Sequence, residues 1–438
     1  MHIYLSSLGC VRNQVDSEIM LGRLTEAGHT LAESPLEAET IIINTCAFIE
    51  SAADEAIEEI LTMAACKKHG ACRKLIVTGC LPQRYGRETA ESLPEVDVFL
   101  GTGAYDRIAE AVEAPWPAGT CLLPPPSQAA LYSWNTARIY DTWPTAYIKI
   151  MEGCGRHCTY CAIPRLRGPL RSRCEEDIAR EAGLMADQGF AEIVLVGQDT
   201  TSWGSDLKTG KSFADLLART AAAAPDTWIR FLYGHPEKID PGLLEAVSAH
   251  ANVCQYFDIP VQHVSSRVLK RMGRGYNRER LLKCVDRIRA ALPEAALRTT
   301  VLVGFPGETD ADFEELLDFV EEVEFDHLGA FIYSDAEDLP AHCLDGHISA
   351  QTAQDRHDLL MQRQADISLA RNREKIGSRI KVLVEGRDEN GPFYGRGRHQ
   401  APEVDGVTFI ETDNAQTGTY AQVRITGANE YDLTGVPE

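Results

Sequence analysis

Through residues 1–114, short apolar runs alternate with stretches of helical period. Residues 2–8, 40–45, 74–78 and 96–100 read as strands, and 16–28, 51–69, 81–93 and 106–113 as helices. Strand–helix alternation of this kind predicts an open parallel α/β sheet with helices on both faces. The period fails between 115 and 144, where Pro, Trp, Gly and Ser accumulate, including Pro124-Pro-Pro126. That stretch reads as a linker. A second series follows over 145–374, with strands at 147–152, 192–197, 228–233, 256–261, 297–303 and 327–333 and helical patterns between them. Six such units predict a partial (βα)6 barrel rather than the closed eight-stranded one. Ser172 and Glu175 suggest a capping box opening a helix over 172–188. Residues 351–375 read as one long helix, and 375–438 as five short strands divided by Gly, Asn and Asp turns, which suggests a small antiparallel β-barrel.

With 438 residues, two or three domains are expected. The 13 cysteines are too dilute for a disulfide scaffold. The N-terminus lacks a basic leader, and no run is long and apolar enough for a membrane span. The expectation is a cytoplasmic protein with reduced thiols, available as metal ligands. A formal charge of -22, with no basic segment, argues against broad nucleic-acid binding.

The stretch Glu152-Gly-Cys154-Gly-Arg-His-Cys158-Thr-Tyr-Cys161 changes the picture most. Its spacing lets one tight loop turn three thiolates toward an iron–sulfur cube and leaves the fourth iron without a protein ligand, where four cysteines are usual. Structural zinc is the alternative, but zinc normally takes four ligands, usually in Cys-x2-Cys pairs, and no second pair follows nearby. The loop lies at a strand's carboxyl end, where barrels of this type place their chemistry. Cys10, Cys46 and Cys80 each fall just past a strand of the first sheet, at the edge where ligands gather in open α/β folds. They either converge there or are small buried hydrophobes. Gly304-Phe-Pro-Gly307-Glu308, after a strand and before a helix, reads as a cofactor platform or a plain turn. Arginines 156, 165, 167, 171 and 173, with the basic run 267–280, are either a solvated face or an anion-attracting rim. Arg396 and Arg398 are a candidate small RNA patch on the terminal barrel. Cys66, Cys72, Cys121, Cys174, Cys254, Cys284 and Cys343 carry no role beyond packing or surface thiols.

Taken together, these residues resemble the radical S-adenosylmethionine (SAM) methylthiotransferases nearly end to end. The resemblance implies that Cys10, Cys46 and Cys80 hold an auxiliary 4Fe-4S cluster and that Cys154, Cys158 and Cys161 hold the radical-SAM 4Fe-4S cluster. It implies SAM contacts at Tyr160, Gly304, Gly307 and Glu308, and a terminal TRAM barrel. Of two branches, one modifies adenosine in transfer RNA and the other an aspartate β-carbon in small-subunit ribosomal protein S-twelve. Gly197-Gln-Asp199-Thr-Thr201, Asp258-Ile-Pro-Val-Gln-His263 and the acidic barrel resemble the second. Tyr233-Gly-His-Pro236 and Asp335-Ala-Glu-Asp-Leu-Pro340 depart from it. The implied partners are ribosomal protein S-twelve, an electron donor and a sulfur donor, the last two unidentified. A metal-stapled binding module without catalysis is the reading from a different class.

Overall fold

A computed structural model describes residues 1–389 and 391–438. Its first sheet has six parallel strands, in the spatial order Thr30–Leu31, His2–Ser7, Thr40–Thr45, Lys74–Gly79, Val98–Gly101 and Thr120–Leu122. The last strand lies inside the stretch read as linker and pairs with Val98–Gly101. The first helix begins at Val11, directly after Cys10, rather than at Asp16. Val11, Val15 and Ile19 repeat every four residues and bury against the sheet. The helical period over 81–93 is broken at Gly86 into Cys80–Tyr85 and Arg87–Ser92.

The central unit holds six parallel strands in two groups of three. Thr145–Lys149, Glu192–Val196 and Trp228–Phe231 form one; Tyr256–Asp258, Ala296–Val303 and His327–Ile332 form the other. Backbone bonds from Ile229 to Asn252 and from Cys254 to Ile229 join the groups into one open curved wall. The helix expected to open at Ser172 starts instead at Glu175. Ser172 joins a short antiparallel pair with Met151–Glu152, and its hydroxyl bonds Asp206, so it cannot cap.

The last five strands close into a barrel. Arg396 is not a surface RNA contact: it is buried, bonding Glu192 (2.5 Å), Glu385 (2.6 Å) and Thr145 (3.1 Å). Arg398 donates to the Ala251 carbonyl (2.6 Å) and lies over the Trp228 ring. Both side chains dock the barrel onto the central wall, because Glu192, at a strand's first residue, is a buried anion that requires cations. The loop after Arg398 fills the lower interior of that wall. Tyr256 Oη bonds Asp405 (2.6 Å) and Tyr147 Oη bonds Glu403 (3.1 Å).

Burial alone would raise the Glu192 carboxyl, but Arg396 and Arg230 outweigh it and hold the group at about 2 instead of its ordinary 4.5. Its stabilising effect is therefore full above pH 4.5 and disappears as pH falls through about 2. Arg396→Leu should destabilise the chain by about 3–5 kcal/mol in denaturant unfolding at neutral pH, with the deficit against wild type shrinking on acidification across that window.

Candidate active site

Cys10, Cys46 and Cys80 follow three adjacent strands of the first sheet, so the topology that made them distant in sequence makes them neighbours in space. Two glycines permit the approach. Gly9 has φ +94°, and a Cβ there would stand 2.6 Å from Cys46 Cβ; Gly79 has φ +98°, and its Cβ would strike the Thr45 carbonyl at 2.6 Å. Asn13 laces the loops by donating to the carbonyls of Leu8 (2.8 Å) and Thr45 (3.1 Å). Burial raises the Cys10 thiol, but Arg12 and Arg167 overcome it and bring the group down to about 7. Burial prevails at Cys80, pushed up to about 11 despite Arg167.

Cys154, Cys158 and Cys161 lie in the loop after the first central strand. Cys154 N donates to Gly168 O (3.1 Å), Thr159 is held by the Met272 and Arg271 carbonyls, and the Arg156 N–H points to Cys154 Sγ (3.4 Å). All six thiols are free. Among the described residues, no three His, Cys, Asp or Glu side chains close on a single-ion site. Each group offers three thiols, one fewer than the four ligands usual for structural zinc. An all-thiol donor set with backbone N–H groups nearby is suited instead to an iron–sulfur cluster.

A cavity of about 400 Å³ lies over the cysteine loop, and all three parts of the chain line it. Arg12 and Phe48 come from the N-terminal domain, Val404 from the terminal segment, and the rest from the central unit, including all three loop cysteines. Arg12 crosses the boundary directly. Its guanidinium bonds Gly197 O (2.8 Å) and lies 4.7 Å over the Tyr233 ring. Tyr233 and Gln262 line the cavity with φ of +63° and +65°, left-handed backbones that cost energy in side-chain-bearing residues and cluster at functional sites. The side-chain amide of Gln198 has buried oxygen and nitrogen without partners. His235 Nδ1 accepts from Glu237 N, which leaves the proton on Nε2, also buried and unpaired. Burial, then Arg156 and Arg274, lower His235 to about 3, so it is neutral. These unsatisfied groups suit a polar ligand of SAM's kind.

Beneath the cavity, Asp16, Lys149, Glu152 and Arg167 form a buried ion network. Asp16 belongs to the helix after Cys10, Glu152 stands two residues before Cys154, and Arg167 ends the short helix after Cys161. Lys149 bonds both carboxylates, and Arg167 bonds Asp16 (2.5 Å) and Asn13 (2.9 Å). One set of charges thereby braces both thiol triads. A lysine inside the apolar run Ala146-Tyr-Ile-Lys149-Ile150 was the sequence signal for it.

Other sequence expectations fall elsewhere. Tyr160 lines the cavity, with its hydroxyl held by Arg274 (2.7 Å) and Phe305 edge-on to its ring. Gly304, Gly307 and Glu308 are outside the cavity lining. The Glu308 carboxylate is fully used by Arg356 (2.8 Å) and the Phe305 N–H (3.2 Å), so this turn supports Tyr160 from behind through Phe305. The basic side chains around the loop divide: Arg167 and Arg173 are buried, while Arg165, Arg267, Lys270 and Arg280 are solvated. Arg156 pairs with Asp199, Arg165 with Asp338, Arg173 with Asp177, Arg267 with Asp312, and Arg271 with Asp345. Asp338, in the departing 335–340 motif, also bonds Arg84 (2.7 Å) and pins that loop to the first domain. Cys66, Cys72, Cys254 and Cys284 are buried, while Cys174 and Cys343 are exposed.

A three-thiol loop at the carboxyl end of an open six-stranded wall, tied through a buried ion network to a second group of three thiols, is the arrangement of a radical SAM enzyme with an auxiliary thiol site. Family models agree: the radical SAM superfamily matches residues 148–320, the TRAM domain 376–437, and the uncharacterized protein family UPF0004 2–101. The chain is 52% identical over 437 residues to the ribosomal protein uS12 methylthiotransferase RimO of Desulfosudis oleivorans, covering 99% of each. It is 43% identical to the RimO of Geobacter sulfurreducens, over 99% of this chain and 98% of that one. Among solved structures, the radical SAM methyltransferase TsrM from Kitasatospora setae shares the fold, with a TM-score of 0.58 at 14% identity, covering 78% and 76% of the two chains. The chain belongs to the RimO family of radical SAM methylthiotransferases. It is a transferase whose cofactors are SAM and two 4Fe-4S clusters. Among the described residues, no helix is long and apolar enough to cross a membrane.

Lys149→Met leaves Asp16 and Glu152 buried with one cation fewer. Thermal or denaturant unfolding should show a loss of about 3–5 kcal/mol, larger than the loss for Lys149→Arg.

Proposed function

We propose that this chain transfers a methylthio group to the β-carbon of an aspartate in ribosomal protein uS12. In this reading Cys154, Cys158 and Cys161 hold the SAM-binding cluster, and Cys10, Cys46 and Cys80 the auxiliary one. The observation that carries it is the single cavity bounded by the cysteine loop on one side and by Arg12, two residues from Cys10, on the other. When bound, SAM and the clusters supply one-electron bond cleavage, hydrogen removal from an unactivated carbon, sulfur and a methyl group, chemistry that acid–base side chains do not provide.

The chain's own residues bind, orient and exclude water. Tyr160 gives an aromatic wall, and Gln198 and His235 Nε2–H offer hydrogen bonds to polar groups of the ligand. Phe48, Phe331 and Val404 close the rim with apolar surface, keeping water away from the reacting carbon. Arg12 ties the Cys10 loop to Gly197 and Tyr233, so the auxiliary site is held against the same cavity. The proposed division is 1–114 for the auxiliary-cluster domain, 115–144 for a connecting stretch that contributes an edge strand, 145–374 for the radical SAM core and 375–438 for the TRAM barrel. Electron and sulfur come from donors outside the chain. The burial of Arg396 and the docking of Arg398 favour a protein target over transfer RNA.

Two measurements test the reading. Anaerobically reconstituted wild type should hold two four-iron clusters by iron and sulfide analysis, while Cys154→Ala and Cys46→Ala each hold one; a single cluster in wild type refutes the ligand assignment. In cells lacking this chain, mass spectrometry should find uS12 without its methylthio group and transfer RNA unchanged. Loss of methylthioadenosine with uS12 intact would overturn the substrate.

A further inference from the structure

The outermost strand of the central wall, His327–Ile332, has a strand neighbour on one side only, Ala296–Val303. One bond fixes which way its backbone faces: Tyr333 N donates to Val303 O. Backbone groups of successive residues in a strand point to opposite edges. Those of Gly329 and Phe331 therefore face the ladder, and the N–H and C=O of Leu328, Ala330 and Ile332 point away from the sheet. Among the described residues, none of these outward groups has a hydrogen-bond partner. Natural sheet edges are commonly blunted by Lys or Pro. The sequence His-Leu-Gly-Ala-Phe-Ile contains neither.

The edge borders a groove of about 280 Å³, walled by Leu328, Gly329, Ser368, Val404 and Tyr431. Arg298 and Val404 line both this groove and the central cavity, and Phe331 stands at the cavity mouth. The groove thus follows the strand into the active site. Phe331, Val404 and Tyr431 are 53%, 47% and 50% exposed, an apolar border unusual beside unpaired backbone. Exposed Glu403 and the neighbouring Asp405 line it, in a chain of net charge -22.

We propose that this edge is where the protein substrate docks: an extended, cationic segment adds to His327–Ile332 as a further strand and delivers its aspartate side chain into the cavity. The inference rests on the uS12 reading above and says how that substrate is held. A row of alternating donors and acceptors is matched by an extended polypeptide, which gains affinity through its main chain. A nucleic acid offers no such row, and the acidic border repels its phosphates. A basic segment, of the kind ribosomal proteins need in order to sit among RNA phosphates, is attracted instead.

The test uses the fully loaded enzyme with uS12 and with a synthetic uS12 segment spanning the target aspartate. Ala330→Pro removes one outward N–H and blocks the edge while sparing the ladder to Ala296–Val303, since Pro is accepted on edge strands. It should raise the KM for uS12 about tenfold with kcat and substrate-free SAM cleavage retained, whereas Ala330→Val should leave KM near wild type. The second arm keeps the enzyme wild type, so its readout is independent of any effect of the substitution on the fold. N-methylation of alternate backbone nitrogens in the segment should raise KM about tenfold in one register and not in the other. Equal turnover of both registers and an unchanged KM for Ala330→Pro would overturn strand addition while leaving uS12 as substrate. Failure of wild type to modify unaltered uS12 would overturn the substrate reading, and this proposal with it.

Discussion

Four buried charges decide how this molecule is put together. Asp16, Lys149, Glu152 and Arg167 lie where the first sheet meets the central wall, and each is also tied to a cysteine-bearing loop. Such a network is costly to desolvate and tolerates little change in geometry, because removing one member leaves another unpaired in a dry site. That intolerance suits the task. The proposed reaction, which uses both thiol triads, needs a fixed separation between them, and an apolar interface of similar area slides more readily than interlocked ions. Arg12 adds a second tie on the cavity side, and Glu192 with Arg230 and Arg396 repeats the device where the terminal barrel docks.

The cysteines were legible because chemistry and topology wrote the same residues. A Cys-x3-Cys-x2-Cys loop after a strand marked one triad directly, while three cysteines each just past a strand left convergence or packing open until the strand order set them on adjacent strands. The order of elements was legible for the same reason, since apolar runs and helical periods mark strands and helices whatever their partners. Charges were less legible. Arg396 looked like a surface patch because nothing local reveals that Glu192, more than two hundred residues earlier, is buried opposite it. The arginines around the cysteine loop could be read as a solvated face or a basic rim, and nothing local showed that Arg156 and Arg165 answer carboxylates of distant segments, Asp199 and Asp338. Glu308 sat in a plausible cofactor turn, but Arg356 of the long helix had already taken its carboxylate. Ser172 matched a capping box in spacing and was drawn instead into a strand pair.

The terminal barrel changes role when its contacts are followed. Its loop at 399–405 enters the open wall, meeting Tyr147, Tyr256 and Arg298, and Val404 reaches the cavity lining. The barrel is thus part of the active site's boundary as well as an appended module. With the wall's lower interior filled, the cavity at its upper end is left bordered by Tyr233 and Gln262, whose backbones are left-handed.

The account stands or falls on whether the two triads face each other across that space. Electron paramagnetic resonance of the wild-type protein with both clusters reduced measures this directly. The account predicts magnetic interaction between the clusters, visible as splitting or broadening absent from the single-cluster variants Cys154→Ala and Cys46→Ala. A wild-type spectrum equal to the sum of those two would contradict it.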